Sequence, residues 1–365
     1  METTRNKICI VIFGISSLLF LKVKAQDIHF SEFNENPSLV NPALTGQTHI
    51  LKASVIYRDQ WRSVTVPYKT FGASVEMKLK ASNWDKVGDH ATLKFKKAFG
   101  RTAAGLSFFS DKAGDGNMGT SQANLSFASF IPVSSKSSLS LGMQASLVQR
   151  KVDYEKLLWN DQYGSAGYDN TMDPGEKFTD GNFLYPDFAA GVLYSYGFNE
   201  KAIGANNQFN MDVGFSIYHL NTPKQQYLSD THERLLAKYI VHGKFLIGIK
   251  NTNLSIAPSY IFQLQGSTKE FIAGSMFRYN LKEDSKYTGY AKGATISLGA
   301  FYRNKDAMIA CAQVEFSQYA IGCSYDINTS GLTKASTSRG GFEIFLKFVT
   351  PSPYLYQNKN KAKFN

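Results

Sequence analysis

Ser138-Leu139-Ser140-Leu141-Gly142-Met143-Gln144-Ala145-Ser146-Leu147 alternates without a break, with Leu139, Leu141, Met143, Ala145 and Leu147 in one register and the small or polar residues in the other. Successive side chains of a strand point to opposite faces, so this segment carries one greasy face and one wet face. The pattern recurs. Phe71, Ala73, Val75, Met77 and Leu79 alternate with Gly72, Ser74, Glu76, Lys78 and Lys80, and Phe209, Met211, Val213, Phe215 and Ile217 interleave with Asn210, Asp212, Gly214 and Ser216. Helical periodicity is hard to find after residue 50.

Candidate strands lie near 50–58, 70–80, 101–110, 120–131, 137–150, 184–196, 208–218, 240–250, 253–265, 268–279, 293–303, 306–314, 318–327 and 341–349, with 90–97 as a further candidate. That makes about fourteen strands of about ten residues, the even number and the length expected of tilted outer-membrane strands. With the N-terminus taken as periplasmic, one set of connections holds the tight turns at 132–136, Asn251-Thr252 and Ser317, and the other holds the long polar loops 151–183, 219–239 and 328–339. Short turns on one side and long loops on the other mark a transmembrane barrel. Two nominally periplasmic connections, 81–100 and 280–292, are long and break the pattern. A soluble β-sandwich or secreted adhesin shows the same alternation, but apolar faces on most strands of an exported chain without a disulfide framework favour the barrel. The expected fold class is all-β: a transmembrane antiparallel β-barrel over 50–349, with an N-terminal extended segment over 26–49 and a basic tail over 350–365. Glu76, Lys78, Gln144, Asp212, Lys244, Glu270, Arg278 and Glu343 then face the lumen, where they need water or partners.

Composition agrees with export. The 365 residues carry 40 Lys and Arg against 29 Asp and Glu, a net +11, with 43% hydrophobic and 19% charged residues. Such a chain is not disordered and can bury a sizeable core. One long apolar run exists, 8–21, preceded by Arg5 and Lys7 and followed by Val23-Lys24-Ala25. It is too short for a comfortable membrane span, and it reads as a cleaved signal over 1–25 with Gln26 as the first mature residue. Cys9 leaves with the signal, and Cys311 and Cys323 remain. The register sets Cys323 on the apolar face with Tyr319, Ile321 and Tyr325, and Cys311 on the other with Gln313 and Glu315, so the two thiols are not expected to bridge.

Between signal and first strand lies Phe33-Asn34-Glu35-Asn36-Pro37-Ser38-Leu39-Val40-Asn41-Pro42-Ala43-Leu44-Thr45-Gly46. Proline lacks the ladder donor and holds the preceding residue extended, so this piece is expected outside the barrel wall, periplasmic or lining the lumen. Its two Asn-Pro steps, Asn36-Pro37 and Asn41-Pro42, resemble the N-terminal signature of the PorP/SprF family of the type IX secretion system. Tyr57-Arg58-Asp59-Gln60-Trp61 with Pro67 and Thr70, Gly105-Leu106-Ser107 with Asp111 and Gly114, and Pro186-Asp187-Phe188-Ala189-Ala190-Gly191 continue the likeness. So do Ala257-Pro258-Ser259, Leu298-Gly299-Ala300-Phe301-Tyr302-Arg303 with Asp306-Ala307, and Gly322-Cys323-Ser324-Tyr325-Asp326. One departure stands near the end: the family often has His-Glu at the start of the last strand, and here Phe342 precedes Glu343.

The resemblance implies a non-enzymatic outer-membrane barrel that helps deliver or anchor cargo at the cell surface. Implied partners are ring components beneath the outer membrane, the translocon, and cargo with a type B C-terminal domain, some of it serving gliding motility, besides outer-membrane lipid. A porin-like or hydrophobic-compound channel is the alternative, distinguished by a continuous pore. The expected partner-binding residues are Asn36, Pro37, Asn41 and Pro42 on the periplasmic side, and Arg58, Gln60 and Trp61 at the opposite end of the first strand. There Trp61 suits the membrane interface, while Arg58 and Gln60 reach loop backbone or cargo.

Chemistry-bearing patterns are sparse. His232-Glu233 lacks the second His of a zincin helix, and Ser216 and His219, three apart, fall on opposite faces of a regular strand. His219 and His242 read as solvated or hydrogen-bonded histidines. Asp111-Lys112-Ala113-Gly114-Asp115 places Ala113 where a calcium loop needs an oxygen ligand, and the acids of 151–183 read as a solvated loop. No cofactor and no metal site are expected. The positive charges are dispersed over strands without a recognition motif, so no nucleic-acid partner is expected either.

Overall fold

In the computed structural model the described residues are 28–62, 66–79, 102–134, 136–164, 167–169, 171–175, 181–198, 206, 208–225, 233–282, 293–331 and 333–350. Fourteen antiparallel strands close into one barrel. They are β1 (Leu51–Gln60), β2 (Tyr68–Lys78), β3 (Thr102–Ala113), β4 (Met118–Pro132), β5 (Ser137–Lys151), β6 (Asn182–Phe198) and β7 (Phe209–Tyr218). The second half comprises β8 (Lys238–Gly248), β9 (Leu254–Gln265), β10 (Thr268–Lys282), β11 (Ala294–Arg303), β12 (Ala307–Phe316), β13 (Tyr319–Asn328) and β14 (Arg339–Val349). Each strand pairs with its sequence neighbours, and β14 returns to β1 with Ser54 opposite Lys347 and Arg58 opposite Glu343. A closed ring leaves no edge for another chain to pair with.

Burial runs opposite to that of a soluble protein. On β5, Met143 is 72% exposed while Ser140 is 0% and Gln144 is 3%. Leu106, Phe127, Leu298, Ile321 and Leu346 also stand outward and exposed, and Ser107, Asn124, Ser297 and Ser324 are buried inside. A sandwich would put the apolar set between its sheets. Here that set forms the outer belt, which water would not tolerate and lipid would. Cys311 points inward and is buried, Cys323 points outward, and both are free.

The tight turns fall where alternation stops. Asn251 and Ser317 both take φ 57°, the left-handed geometry that reverses a strand within few residues. Strands extend up to a few residues past their expected ends; β6, for instance, runs over 17 residues. The segments 81–100 and 90–97, most of 280–292, the leader and residues 351–365 of the C-terminal tail lie outside the described residues.

The lumen is not uniformly polar. Ile56, Phe109 and Phe345 form one inward apolar cluster with Phe30, and Ile240, Ile261, Ile272, Phe301 and Ile309 form a second with Phe33 and Val40. Both clusters receive residues from 28–49, and that is where the core sits.

Candidate functional site

The chain that precedes β1 fills the barrel. From the turn-side rim at residue 50 it folds back into the lumen, and each step is tied to the wall. Gly46 N donates to Glu76 Oε2 (2.8 Å), Gln47 Nε2 to Ser195 Oγ (2.7 Å), and Thr45 Oγ1 to Ser126 Oγ (3.0 Å). Higher up, Ser216 Oγ donates to Val40 O (2.6 Å) and Tyr218 OH to Ser38 O (3.0 Å). Ile28 and Leu39 reach the loop-side half of the lumen, beside Arg150, Tyr185 and His219.

This plug is coiled, not extended as the sequence suggested. Phe33–Glu35 and Pro42–Leu44 are 3-10 turns and Pro37–Val40 is a single α-turn. The residue before each proline does leave the helical region, with Asn36 at φ −118°, ψ 69° and Asn41 at φ −161°, ψ 120°. Each proline then opens a turn, because its fixed φ suits the first helical position and its missing N–H would have gone unused there. Asn-Pro therefore works as a corner and a start signal together, which fits 28–49 inside the ring.

Asn41, 0% exposed, is the pivot. Its Oδ1 accepts from Ala43 N (2.9 Å), capping the last turn. Its Nδ2 donates to Val192 O (3.0 Å) and Phe215 O (3.3 Å) and meets His242 Nε2 at 3.0 Å. The amide has two protons for these three neighbours, so the contacts are shared, and wherever it donates to His242 the Nε2 is the unprotonated ring nitrogen. Two wall glycines make the approach possible. A Cβ at Gly142 would overlap the backbone of Pro42 and Ala43, and one at Gly191 would overlap the Asn41 side chain.

A charged lattice locks the other end. Arg58 Nη2 and Arg303 Nη1 both contact Asp326 Oδ2, at 3.2 and 3.1 Å, and Arg58 Nε lies 3.2 Å from Glu343 Oε1. Two guanidinium groups face two carboxylates, all four residues at most 2% exposed. The plug supplies further partners. Ser31 N and Glu32 N donate to the two Glu343 oxygens (2.6 and 3.0 Å), Ser31 Oγ donates to Asp326 Oδ1 (2.7 Å), and Arg58 Nη1 donates to His29 O (2.6 Å). Charges this deep survive only when paired and hydrogen-bonded, and here the plug's backbone and Ser31 side chain add partners for both carboxylates, while Arg303 Nε is buried without one. Glu35 closes the turn-side end through Lys347 Nζ (2.9 Å).

The structure thus brings Asn36, Pro37, Asn41, Pro42 and Arg58 together inside the lumen. Arg58, expected to reach loop backbone or cargo, spends its guanidinium on lumen carboxylates and the plug. Gln60 and Trp61 stay at the loop-side rim, half-buried. Trp61 takes φ 58°, its backbone N–H donates to Gly340 O (2.8 Å), and its ring meets Tyr68 edge-on at 5.0 Å. The sequence gives no sign of Ser31 or Gly142 and marks His242 only as solvated or hydrogen-bonded and Gly191 only as part of a family-like motif, because their partners are distant in the chain. Phe342, where the family often has His, points outward at 44% exposure, so that side chain does not face the lattice.

Two of the described acids of the long loop serve turns. Asp169 Oδ1 accepts from Thr171 Oγ1 and Thr171 N (2.7 and 2.9 Å), which hold its carboxyl below the usual range, and Asp173 Oδ1 accepts from Gly175 N. Among the described residues no three His, Cys, Asp or Glu side chains are grouped to hold a metal.

Residues 22–348 match the family described as type IX secretion system membrane protein PorP/SprF. No curated protein matches the sequence. Among solved structures, a Pseudomonas aeruginosa FadL homologue is 10% identical, covering 85% of this chain and 92% of that one with a TM-score of 0.42. The Acinetobacter baumannii outer membrane protein Omp33 is 8% identical, covering 83% and 98% with a TM-score of 0.39.

Proposed function

The chain belongs to the PorP/SprF family of type IX secretion membrane proteins, and from that premise we propose that it works as a closed docking barrel, holding or delivering secreted cargo at the cell surface without conducting it. It is an integral outer-membrane component of that secretion system. The observation that carries the docking reading is the filled lumen, since 28–49 bind the wall from Gly46 up to Ser31. A porin-like channel would need that segment to leave.

In this reading the surface loops and the rim around Gln60 and Trp61 meet cargo with a type B C-terminal domain. The turn side meets ring components and the translocon. Asn36, Pro37, Asn41 and Pro42 contribute by shaping the plug, and Arg58 braces the rim from within. No catalytic step is assigned to the protein.

The test compares wild-type with Asn41→Ala/Pro42→Ala protein, by pull-down from membranes with identification of secretion components and by a surface assay for secreted cargo. We expect machinery to co-purify with wild type and surface cargo to fall in the variant. Normal surface cargo in a strain lacking the barrel, with no secretion component recovered, would overturn the docking role.

A further inference from the structure

On the loop side, the outward face of β2 to β5 ends in a row of lysines. Lys69 stands directly opposite Lys112 in the ladder, Lys112 opposite Gly119, and Gly119 opposite Lys151. All three lysines are exposed. Side chains directly opposite one another lie about 5 Å apart at Cβ, where like charges repel, and Lys112 and Lys151, two strands apart, are separated by about 10 Å. The acids beside the row lean on other cations. Asp59, across from Lys69 on β1, lies 3.8 Å from Arg62, and Asp153, which feels Lys151, binds Lys156 at 2.7 Å. Among the described residues no ion pair reaches Lys69, Lys112 or Lys151, whether from these acids or from the exposed Asp115 and Glu155. Away from this row, outward Lys269 faces Leu264 and outward Arg339 faces Ile327, so neither has a cation across the ladder from it.

Below the lysines the same strands descend in tiers. Ser110, Ser121 and Gln149 are opposite one another at the next outward position, with the two serine hydroxyls 3.3 Å apart. Phe108, Ala123 and Leu147 are opposite one another at the position after that. Phe108 and Leu147 are exposed, and β4 between them carries only Gly119, Ser121 and Ala123, so its face is a shallow trough. Crowding does not demand that glycine, since a Cβ at Gly119 meets only ordinary contacts. Cations above hydrogen-bonding groups above a greasy trough follow the order of a lipid: phosphate, polar linkage, acyl chain. Lysine stems also lie along apolar surface while their charged heads stay at the polar level. We propose that this face binds a lipid of the outer leaflet carrying more than one phosphate, with the phosphates bridging Lys69, Lys112 and Lys151 and an acyl chain lying in the β4 trough. Charge-assisted bonds to phosphate are strong ones, and they offset the repulsion within the row. Just above, Asp153 N donates to Gly116 O (2.8 Å) and ties the base of the long loop to the β3–β4 turn, so a bound lipid braces the surface loops that start there.

The experiment titrates the mature barrel in detergent, read by native mass spectrometry, with lipid A bearing two phosphates, the same lipid bearing one, and phosphatidylethanolamine. The two-phosphate lipid is expected to stay bound, the one-phosphate form to bind more weakly by on the order of tenfold, and phosphatidylethanolamine to be lost. Lys69→Gln/Lys112→Gln/Lys151→Gln should lose the lipid, and the corresponding arginine triple should keep it. Gly119→Leu fills the trough and should weaken binding with every charge in place. Lys269→Gln/Arg339→Gln is the control and should bind like wild type. Heat-modifiable migration confirms that each variant is folded. A glutamine triple that binds like wild type, or a control that loses as much as the triple, would overturn the row as the site, and an unaffected Gly119→Leu would overturn the trough. Phosphatidylethanolamine held as tightly as lipid A would overturn charge as the feature recognised. Displacement of lipid A by millimolar inorganic phosphate would overturn the lipid as the ligand, and its retention supports it.

Discussion

Gly142→Ala tests whether the plug is held by fit. The new Cβ would stand 2.5 Å from Ala43 Cα, and nearer still to Pro42 C and Ala43 N. An ordinary carbon contact needs about 3.5 Å, so one backbone must retreat by about 1 Å. The wall is tied by ladders on both sides, with Gly142 opposite Ala128 on β4 and Gly191 on β6, so the plug is the part that moves. A shift of that size stretches the Asn41 bonds to Val192 O and Phe215 O, at 3.0 and 3.3 Å, past the limit of about 3.5 Å. The two amide protons make two hydrogen bonds at a time, and losing both costs about 1 kcal/mol each, with residual overpacking adding about 1 kcal/mol or more. The plug is then held more weakly by about 3 kcal/mol, and at about 1.4 kcal/mol per tenfold its open population rises by about two orders of magnitude. In a planar bilayer wild type should stay quiet, Gly142→Ala should flicker open, and deletion of 28–46 should conduct steadily. Gly119→Ala, whose Cβ meets only ordinary contacts, is the control and should be quiet. A silent Gly142→Ala barrel beside a conducting deletion would refute the fit argument, and steady conduction by wild type would refute the plug.

Arg58→Gln strips Asp326 and Glu343 of a shared buried cation and should cost about 3–5 kcal/mol, read as a lower temperature for the heat-modifiable band shift; adding Glu343→Gln should recover part of the loss. A lipophilic maleimide should label Cys323 on the lipid face and spare Cys311, and a non-reducing digest should contain no Cys311–Cys323 peptide.

The wall was readable in sequence because lipid imposes a strict two-residue period on its outer face. Leu139, Leu141 and Met143 report that period one by one, and parity, turns and long loops follow from it. The plug has no such period. Asn41 is fixed by Val192, Phe215 and His242, partners 151, 174 and 201 positions away, and nothing local announces them. The lumen face was harder still. Glu343 was placed inward correctly, but Ile240, Ile261 and Ile309 on the supposedly wet face are understandable only once Phe33 and Val40 sit against them. Arg58 shows a related difficulty: at a strand end, an arginine facing cargo and one facing a hidden carboxylate look alike.

The lattice at Glu343 has a kinetic consequence. Arg58 and Glu343 face each other across the β1–β14 join, the last pairing the ring needs, and the same carboxylate receives Ser31 N from 312 positions earlier in the chain. Bringing ends that far apart together costs about 5 kcal/mol of chain entropy before any bond is made, and contacts of such separation slow folding. If the join zipped first, residues 28–49 would have to be threaded into a finished ring against apolar clusters already collapsed. With the segment lying in the open sheet first, one closing event makes the join, seats the phenylalanines and pairs both arginines. The first and last pieces of the barrel to leave the ribosome are thus the ones that must meet to finish it.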